Sequence, residues 1–307
     1  MTSPAEHEGM TATSTGNAHA LPAKAMLSTQ GVLRVSGDDA RQFLHGQFTA
    51  DMKRLQPGRG RLAAWCSPKG RVLFLMHVLC VDDAFLLLLP ASELPALHKR
   101  LKLYVLRAKV LVEDLSPGWS VMGLANDDTL PTLAGLLEQS HDGAVGYRLP
   151  GKPALGYVLG PQAAVRTRWD RSSAAALSAP DWEALEITAA LPRIEGPLAE
   201  RFLPQELGLE QLDGLHFDKG CYPGQEVIAR LKYRGQVKSG LHRGVTHENL
   251  APGDRLYGAG ASAAVGEVLR VASLADGKRV LAVVDFDAVG ATLHLRACDG
   301  PPIAFDT

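Results

Sequence analysis

The sequence predicts an α+β fold that ends in a small all-β unit. Up to about Arg234, strand-sized apolar runs alternate with segments whose apolar residues recur at helical spacing. After Arg234-Gly235 the texture changes. Pro252-Gly253-Asp254, Gly258-Ala259-Gly260 and Asp276-Gly277-Lys278 then punctuate short alternating strands, the pattern of a small barrel. At 307 residues and 46% apolar content the chain suits one large or two moderate cores. The division is residues 1–22, a polar tail expected to be disordered; 23–236, the main domain; and 237–307, the β unit, with the boundary near Gln236–His242.

Along the chain, Gly31–Ser36 reads as a strand and Gly37-Asp38-Asp39 as a turn into a helix that ends near His45-Gly46. Val72–Leu79 and Phe85–Leu89 are strands on either side of the Asp82-Asp83 turn. Leu94–Leu106 is amphipathic, with Leu97, Leu101 and Tyr104 on one side and Lys99, Arg100 and Lys102 on another. Lys109–Asp114 and Trp119–Gly123 are strands, and Leu130–Glu138 is expected to be a helix despite Gly135. Val145–Leu149 and Leu155–Leu159 form a hairpin around Pro150-Gly151-Lys152-Pro153. Gln162–Ala176 reads as a helix, and Asp181 is the candidate N-cap of the next one. Gly266–Val271, Val280–Val284 and Thr292–Arg296 are strands of the β unit.

Composition narrows the chemistry. A net charge of −1 gives no global reason to bind nucleic acid or a membrane. Cys66, Cys80, Cys221 and Cys298 form no C-x-x-C pair and none has a zinc-spaced histidine, which predicts free thiols in a reducing cytoplasm and no stably bound metal. The first residues show no signal pattern, and the longest apolar run, Ala84–Pro90, is strand-sized. There is no G-x-S-x-G, P-loop, H-E-x-x-H or G-x-G-x-x-G.

What remains is Asp218-Lys219-Gly220-Cys221-Tyr222-Pro223-Gly224-Gln225-Glu226 and on to Arg230. Cys221 lies just ahead of a helix predicted over Gln225–Lys232. Its unpaired N–H groups, with Lys219 nearby, favour a thiolate. An isolated free cysteine is ordinarily a small buried hydrophobe, but this setting is atypical. Gln225 and Glu226 are read as braces of the loop rather than proton carriers. Arg230, Lys232, Arg234, Lys238 and Arg243 form a basic run, four of them at even positions, so that an extended segment would place them on one face.

Lys219-Gly220-Cys221-Tyr222-Pro223-Gly224-Gln225-Glu226, followed by Arg230, resembles the signature of the YgfZ family of folate-binding proteins, relatives of the glycine-cleavage T-protein (aminomethyltransferase). Gly37–Asp51, Pro68-Lys69-Gly70-Arg71, Trp182–Ile194 and Phe202–Leu207 resemble the family in the same order, and the likeness runs from about Ala25 to Gly244. It implies a T-protein-like folate-binding domain followed by a C-terminal β-barrel. It also implies a tetrahydrofolate-binding accessory protein, rather than an enzyme in its own right, that supports synthesis or repair of iron–sulfur clusters in client enzymes, including tRNA-modifying ones. Cys221 is its key residue, either as one ligand of a shared cluster or as a redox thiol.

By the same resemblance Trp182 contacts folate, a second contact falls at Gln30, and Thr188 takes the place of the T-protein's pterin-holding acid. Gln30 is not aromatic and a hydroxyl pairs less well with a pterin than a carboxylate does, so binding of tetrahydrofolate or a derivative is expected to be weak. Lys219, Tyr222, Gln225, Glu226 and Arg230 complete the expected site. Lys219 and Arg230 are favoured within an anion site for a folate tail or RNA backbone. The expected partners are folate and iron–sulfur client or assembly proteins. A folate-dependent aminomethyl transferase and a non-catalytic tRNA-binding factor are the other readings.

Overall fold

The computed structural model describes residues 21–306, so residues 1–20 of the expected tail lie outside it. The chain opens with β1 (Ala23–Met26), which waits for partners from later in the sequence. It then builds a five-stranded antiparallel sheet. Its elements are β2 (Gln30–Ser36), α1 (Ala40–Gln47), β3 (Arg59–Cys66), β4 (Val72–Val81), β5 (Ala84–Pro90), α2 (Leu94–Val105) and β6 (Leu111–Asp114). The strand order is β3-β4-β5-β2-β6. Next come β7 (Trp119–Ala125), β8 (Leu137–Gln139), β9 (Val145–Arg148), β10 (Leu155–Pro161), α3 (Gln162–Arg171) and β11 (Ala175–Ala176). With β1 they form a second sheet, β11-β1-β7-β10-β9-β8, in which the β1–β11 pair is parallel.

All seven residues of β5 are buried because its sheet is covered on both faces. Leu87 and Leu89 join Leu97 and Leu101 of α2 on one side. Leu86 and Leu88 meet Tyr147, Tyr157 and Leu159 of the second sheet on the other. The unbroken apolar run Phe85–Leu89 is thus the sequence trace of a strand packed between two layers.

After α4 (Ala179–Thr188), a long irregular segment and α5 (Gln225–Arg234), the chain closes a barrel. Its strands are β12 (Ser239–Thr246), β13 (Arg255–Gly258), β14 (Ala264–Leu274), β15 (Gly277–Asp285), β16 (Leu293–Leu295) and β17 (Pro302–Phe305), in the order β12-β15-β14-β13-β16-β17. Leu269, Leu281 and Val283 of the barrel pack with Leu62, Cys66, Ile187, Tyr222 and Ile228 of the main body, so the two units share a core.

Three local expectations are corrected. Leu130–Glu138 is not a helix. Gly135 takes a φ of +76° and its N–H bonds the Arg148 carbonyl, which releases Leu137–Gln139 to pair with β9. The helix expected over Gln162–Ala176 stops at Arg171, and Ala175-Ala176 adds instead to β1. Ser178, not Asp181, is the N-cap of α4. Asp181 stands three residues inside it, and the two exchange side-chain-to-backbone bonds as a capping box.

Candidate functional site: the Cys221 loop

The loop Asp218–Gly224 is held by the segments that precede it in the chain. Lys219 Nζ donates to the carbonyl oxygens of His45 (2.6 Å), Phe48 (2.5 Å) and Ala50 (3.0 Å). The His45 carbonyl belongs to the last turn of α1, where carbonyls lack helical partners and attract a cation. Burial lowers the Lys219 pKa to about 8, against the pull of Asp51. The ammonium also lies 4.8 Å from the centre of the Tyr222 ring.

His45 is buried beside it and accepts the Gly220 N–H at Nε2, 3.2 Å away. Its Nδ1 lies 3.2 Å from Asp51 Oδ1, off the line of a good hydrogen bond. Burial, then the Lys219 charge, lower the His45 pKa, so the ring is predominantly neutral at pH 7. Burial raises the Asp51 carboxyl. The Arg54 and Lys53 N–H groups it accepts outweigh that effect and hold it below its ordinary value.

The second half of the loop is fixed by two glycines. Gly224 and Gly70 both have positive φ, +82° and +75°, and their backbones touch. This contact joins Pro68-Lys69-Gly70-Arg71 to the start of α5, whose N-cap is Gly224. Gln205 Nε2 donates to the Ile228 carbonyl at 2.8 Å, which adds the Phe202–Leu207 segment.

Cys221 is the exposed member of the four free cysteines. Cys66 and Cys80 are buried, and Cys298 is half-buried. Lys219, expected to serve the thiol or an anion, is spent on three carbonyls and works as an anchor. Gln225 Nε2 reaches the Lys219 carbonyl at 3.5 Å, a long contact. Tyr222 is buried, and its hydroxyl has no protein partner. Glu226 and Arg230 are exposed on α5. The single basic face expected of an extended segment does not form, because residues 225–234 are helical. Lys232 pairs with Glu210, and Arg243 on β12 donates to the Thr188 carbonyl.

The expected folate residues separate. Gln30 and Trp182 line one notch of about 140 Å³, with Glu183, Glu186, Arg193 and Glu195. Thr188 is exposed outside it, and its hydroxyl donates to the Ala184 carbonyl at 2.8 Å. Six residues along a helix turn it off the face shared by Trp182 and Glu186, which are four apart. Of the three acids that line the notch, Glu186 shares the Trp182 face of the helix. The Trp182–Glu186 spacing on one helix face was its signal in the sequence.

As folded, the notch does not fit a folate ring. Trp182 is 3% exposed, and its indole lies where a Gly123 side chain would go. Glu186 already accepts from Trp182 Nε1 (2.7 Å) and the Tyr157 hydroxyl (2.6 Å), and it pairs with Arg270 of β14. Ligand pockets of ordinary size hold roughly 300–1,000 Å³. Among the described residues, no group of three or more His, Cys, Asp or Glu is placed to hold a metal ion. No helix there is long and apolar enough to cross a membrane.

No family model matches the chain. Curated relatives do. A tRNA-modifying protein YgfZ of Edwardsiella ictaluri is 33% identical over 222 residues, 68% of this chain and 66% of the relative. One from Enterobacter sp. (strain 638) is 31% identical over 217 residues, 67% of each chain. The matched stretch thus spans about two thirds of the relatives' own length. Among solved structures, the glycine cleavage system aminomethyltransferase T of Bartonella henselae superposes with a TM-score of 0.75 at 16% identity, covering 93% of this chain and 84% of that one. This gives the fold: a T-protein-like body with a C-terminal barrel. On the sequence relatives, the chain belongs to the YgfZ family.

Proposed function

We propose that this chain is an accessory protein of tRNA modification that supports the synthesis or repair of iron–sulfur clusters in client enzymes, with Cys221 as its working group. One observation carries the reading. Cys221 is exposed, while the residues on both sides of it are pinned by Lys219, His45 and Gly224. A loop held this firmly around an accessible thiol presents it to something outside the chain. A cluster usually takes four thiolates, so Cys221 supplies a single ligand to a centre shared with the client. The relatives' name, tRNA-modifying protein, supports the assignment of the clients to that class. Tetrahydrofolate or a derivative is at most a weak ligand here, because Glu186 and Trp182 are already engaged with each other.

The test is complementation, in cells lacking their own YgfZ protein, of a tRNA modification made by an iron–sulfur enzyme. Cys221→Ala is expected to lose most of the modified nucleoside while melting like the wild type, and Cys298→Ala to retain it. Full activity of Cys221→Ala would sink the proposal. In parallel, calorimetry with tetrahydrofolate is expected to give a dissociation constant near millimolar, about −4 kcal/mol, or no heat. Submicromolar binding that Gln30→Ala weakens would show that the notch opens for the ligand.

A further inference from the structure

We propose that the notch beside Trp182 is filled from within the chain. The Arg270 guanidinium, carried in by the barrel, takes the place on Glu186 that a flat ring with an N–H edge would need, so barrel docking and entry of such a ring exclude each other. Nothing in this depends on the Cys221 reading. Arg270 is buried, and each nitrogen of its guanidinium has an acceptor. Nε donates to Glu183 Oε1 at 2.8 Å, Nη1 to the Leu191 carbonyl at 2.7 Å, and Nη2 to Glu186. Glu186 takes two more bonds, from the Trp182 indole and the Tyr157 hydroxyl, whose rings lie 6.3 Å apart. Three acceptors converging on one planar donor beside two aromatic rings are what a flat heterocycle with N–H groups along one edge would bind.

The backbone of β14 delivers this side chain. Val268 pairs with Ala282 and Arg270 with Leu281, which leaves Leu269 as an extra residue in the strand. Such a bulge breaks the alternation of a strand and re-aims its side chains. Val268 and Val271 pack with the barrel's own core, while Leu269 packs with the body and Arg270 reaches α4 beside it. An unbroken strand would send Leu269 and Arg270 to opposite faces. With Leu269 on the body, the arginine would then point into the apolar barrel.

The same ion pairs divide a space. The notch of about 140 Å³ lies on one side, and a cavity of about 440 Å³ bordered by Leu269, Arg270 and Val271 lies on the other. Glu183, Arg193 and Glu195 border both, and Arg193 clamps Glu183 with bonds of 2.7 and 2.9 Å. Glu186 faces the notch and Arg270 the cavity, so their pair is part of the wall between the two. The notch by itself is smaller than an ordinary ligand pocket, and with Arg270 withdrawn it would open toward the larger cavity.

The experiment is thermal unfolding of the full chain, wild type and Arg270→Ala, in millimolar methylguanidinium and, at the same ionic strength, in methylammonium. Methylguanidinium supplies the head group that the substitution removes. It is expected to raise the Arg270→Ala midpoint by about 2–4 °C over methylammonium and to leave the wild type unchanged. If Arg270→Ala is unfolded on its own, the same comparison is read as recovery of its circular dichroism. The double variant Arg270→Leu, Glu186→Leu, with no carboxylate left at the notch centre, is expected to show no preference between the two cations. Calorimetry with tetrahydrofolate is expected to give binding about ten-fold or more tighter to Arg270→Ala than to wild type. Equal effects of the two cations on Arg270→Ala overturn the proposal, and so does wild type that binds tetrahydrofolate as tightly as the variant. Neither measurement involves Cys221 or a client enzyme, so their failure leaves the Cys221 reading standing, and failure of Cys221 complementation leaves the filled notch standing.

Discussion

Gly224 has a φ of +82°, and a Cβ there would sit 2.5 Å from the Ser67 carbonyl oxygen and 2.6 Å from Gly70 Cα. Both obstacles are backbone, so neither gives way cheaply. Gly224→Ala is expected to cost on the order of 2–3 kcal/mol, the left-handed penalty plus the displaced loop. Denaturant melting measures it, and an unchanged midpoint would show that the two loops do not interlock. Gly220 is constrained differently. Its missing side chain leaves room for His45, whose Nε2 would be 3.1 Å from a Cβ. The residues flanking Cys221 are thus chosen for close backbone approach, and the thiol gains its exposure from their packing.

The element that joins the two units is β14, through Arg270. This arginine is 3% exposed and donates to Glu183 Oε1 at 2.8 Å and the Leu191 carbonyl at 2.7 Å, besides pairing with Glu186. Arg193 approaches Glu183 from the other side at 2.7 Å. Burial lowers the Arg270 pKa, but Glu186 and Glu183 outweigh it and raise it above the ordinary value. The barrel therefore docks on α4 through a buried charge paired with Glu183 and Glu186, which Arg193 shares. Arg270→Ala leaves two carboxylates partly or wholly buried without it and is expected to destabilise the protein by about 3–5 kcal/mol. Arg270→Leu combined with Glu186→Leu is expected to recover part of that loss in the same denaturation assay. A single variant as stable as wild type would mean that the shared apolar core alone holds the barrel.

Across the whole molecule, the two sheets of the body meet at His77 on β4. Its ring lies 5.5 Å from Tyr147 and 5.6 Å from Tyr157, edge to face. Burial lowers its pKa to about 4, with Glu186 pulling upward and Arg270 downward. The unfolded ring takes up its proton near 6.5, so between pH 6.5 and 4 the unfolded chain binds more protons than the folded one. Stability is therefore expected to fall as pH drops through that window, by on the order of 3 kcal/mol from this group. Denaturant curves from pH 7.5 to 4.5 for wild type and His77→Gln check it. The variant is expected to show a shallower acid slope, and parallel slopes would refute the assignment.

By itself the sequence determined the elements and the family. The apolar run Phe85–Leu89 marked a strand, the turn residues after Arg234 marked the barrel, and Lys219–Arg230 marked the cysteine loop. Those signals are local: each depends on spacing within a dozen residues. Tertiary structure alone decided the partners. Lys219 finds its three carbonyls at residues 45–50, and Glu186 finds Arg270 on a barrel strand, across separations that no local pattern encodes. The same reason explains the errors. Gly135 and Ala175 follow strands they meet in space rather than their own propensity. Burial turned Lys219 from a prospective ligand into an anchor, because an ammonium removed from water takes the nearest acceptors.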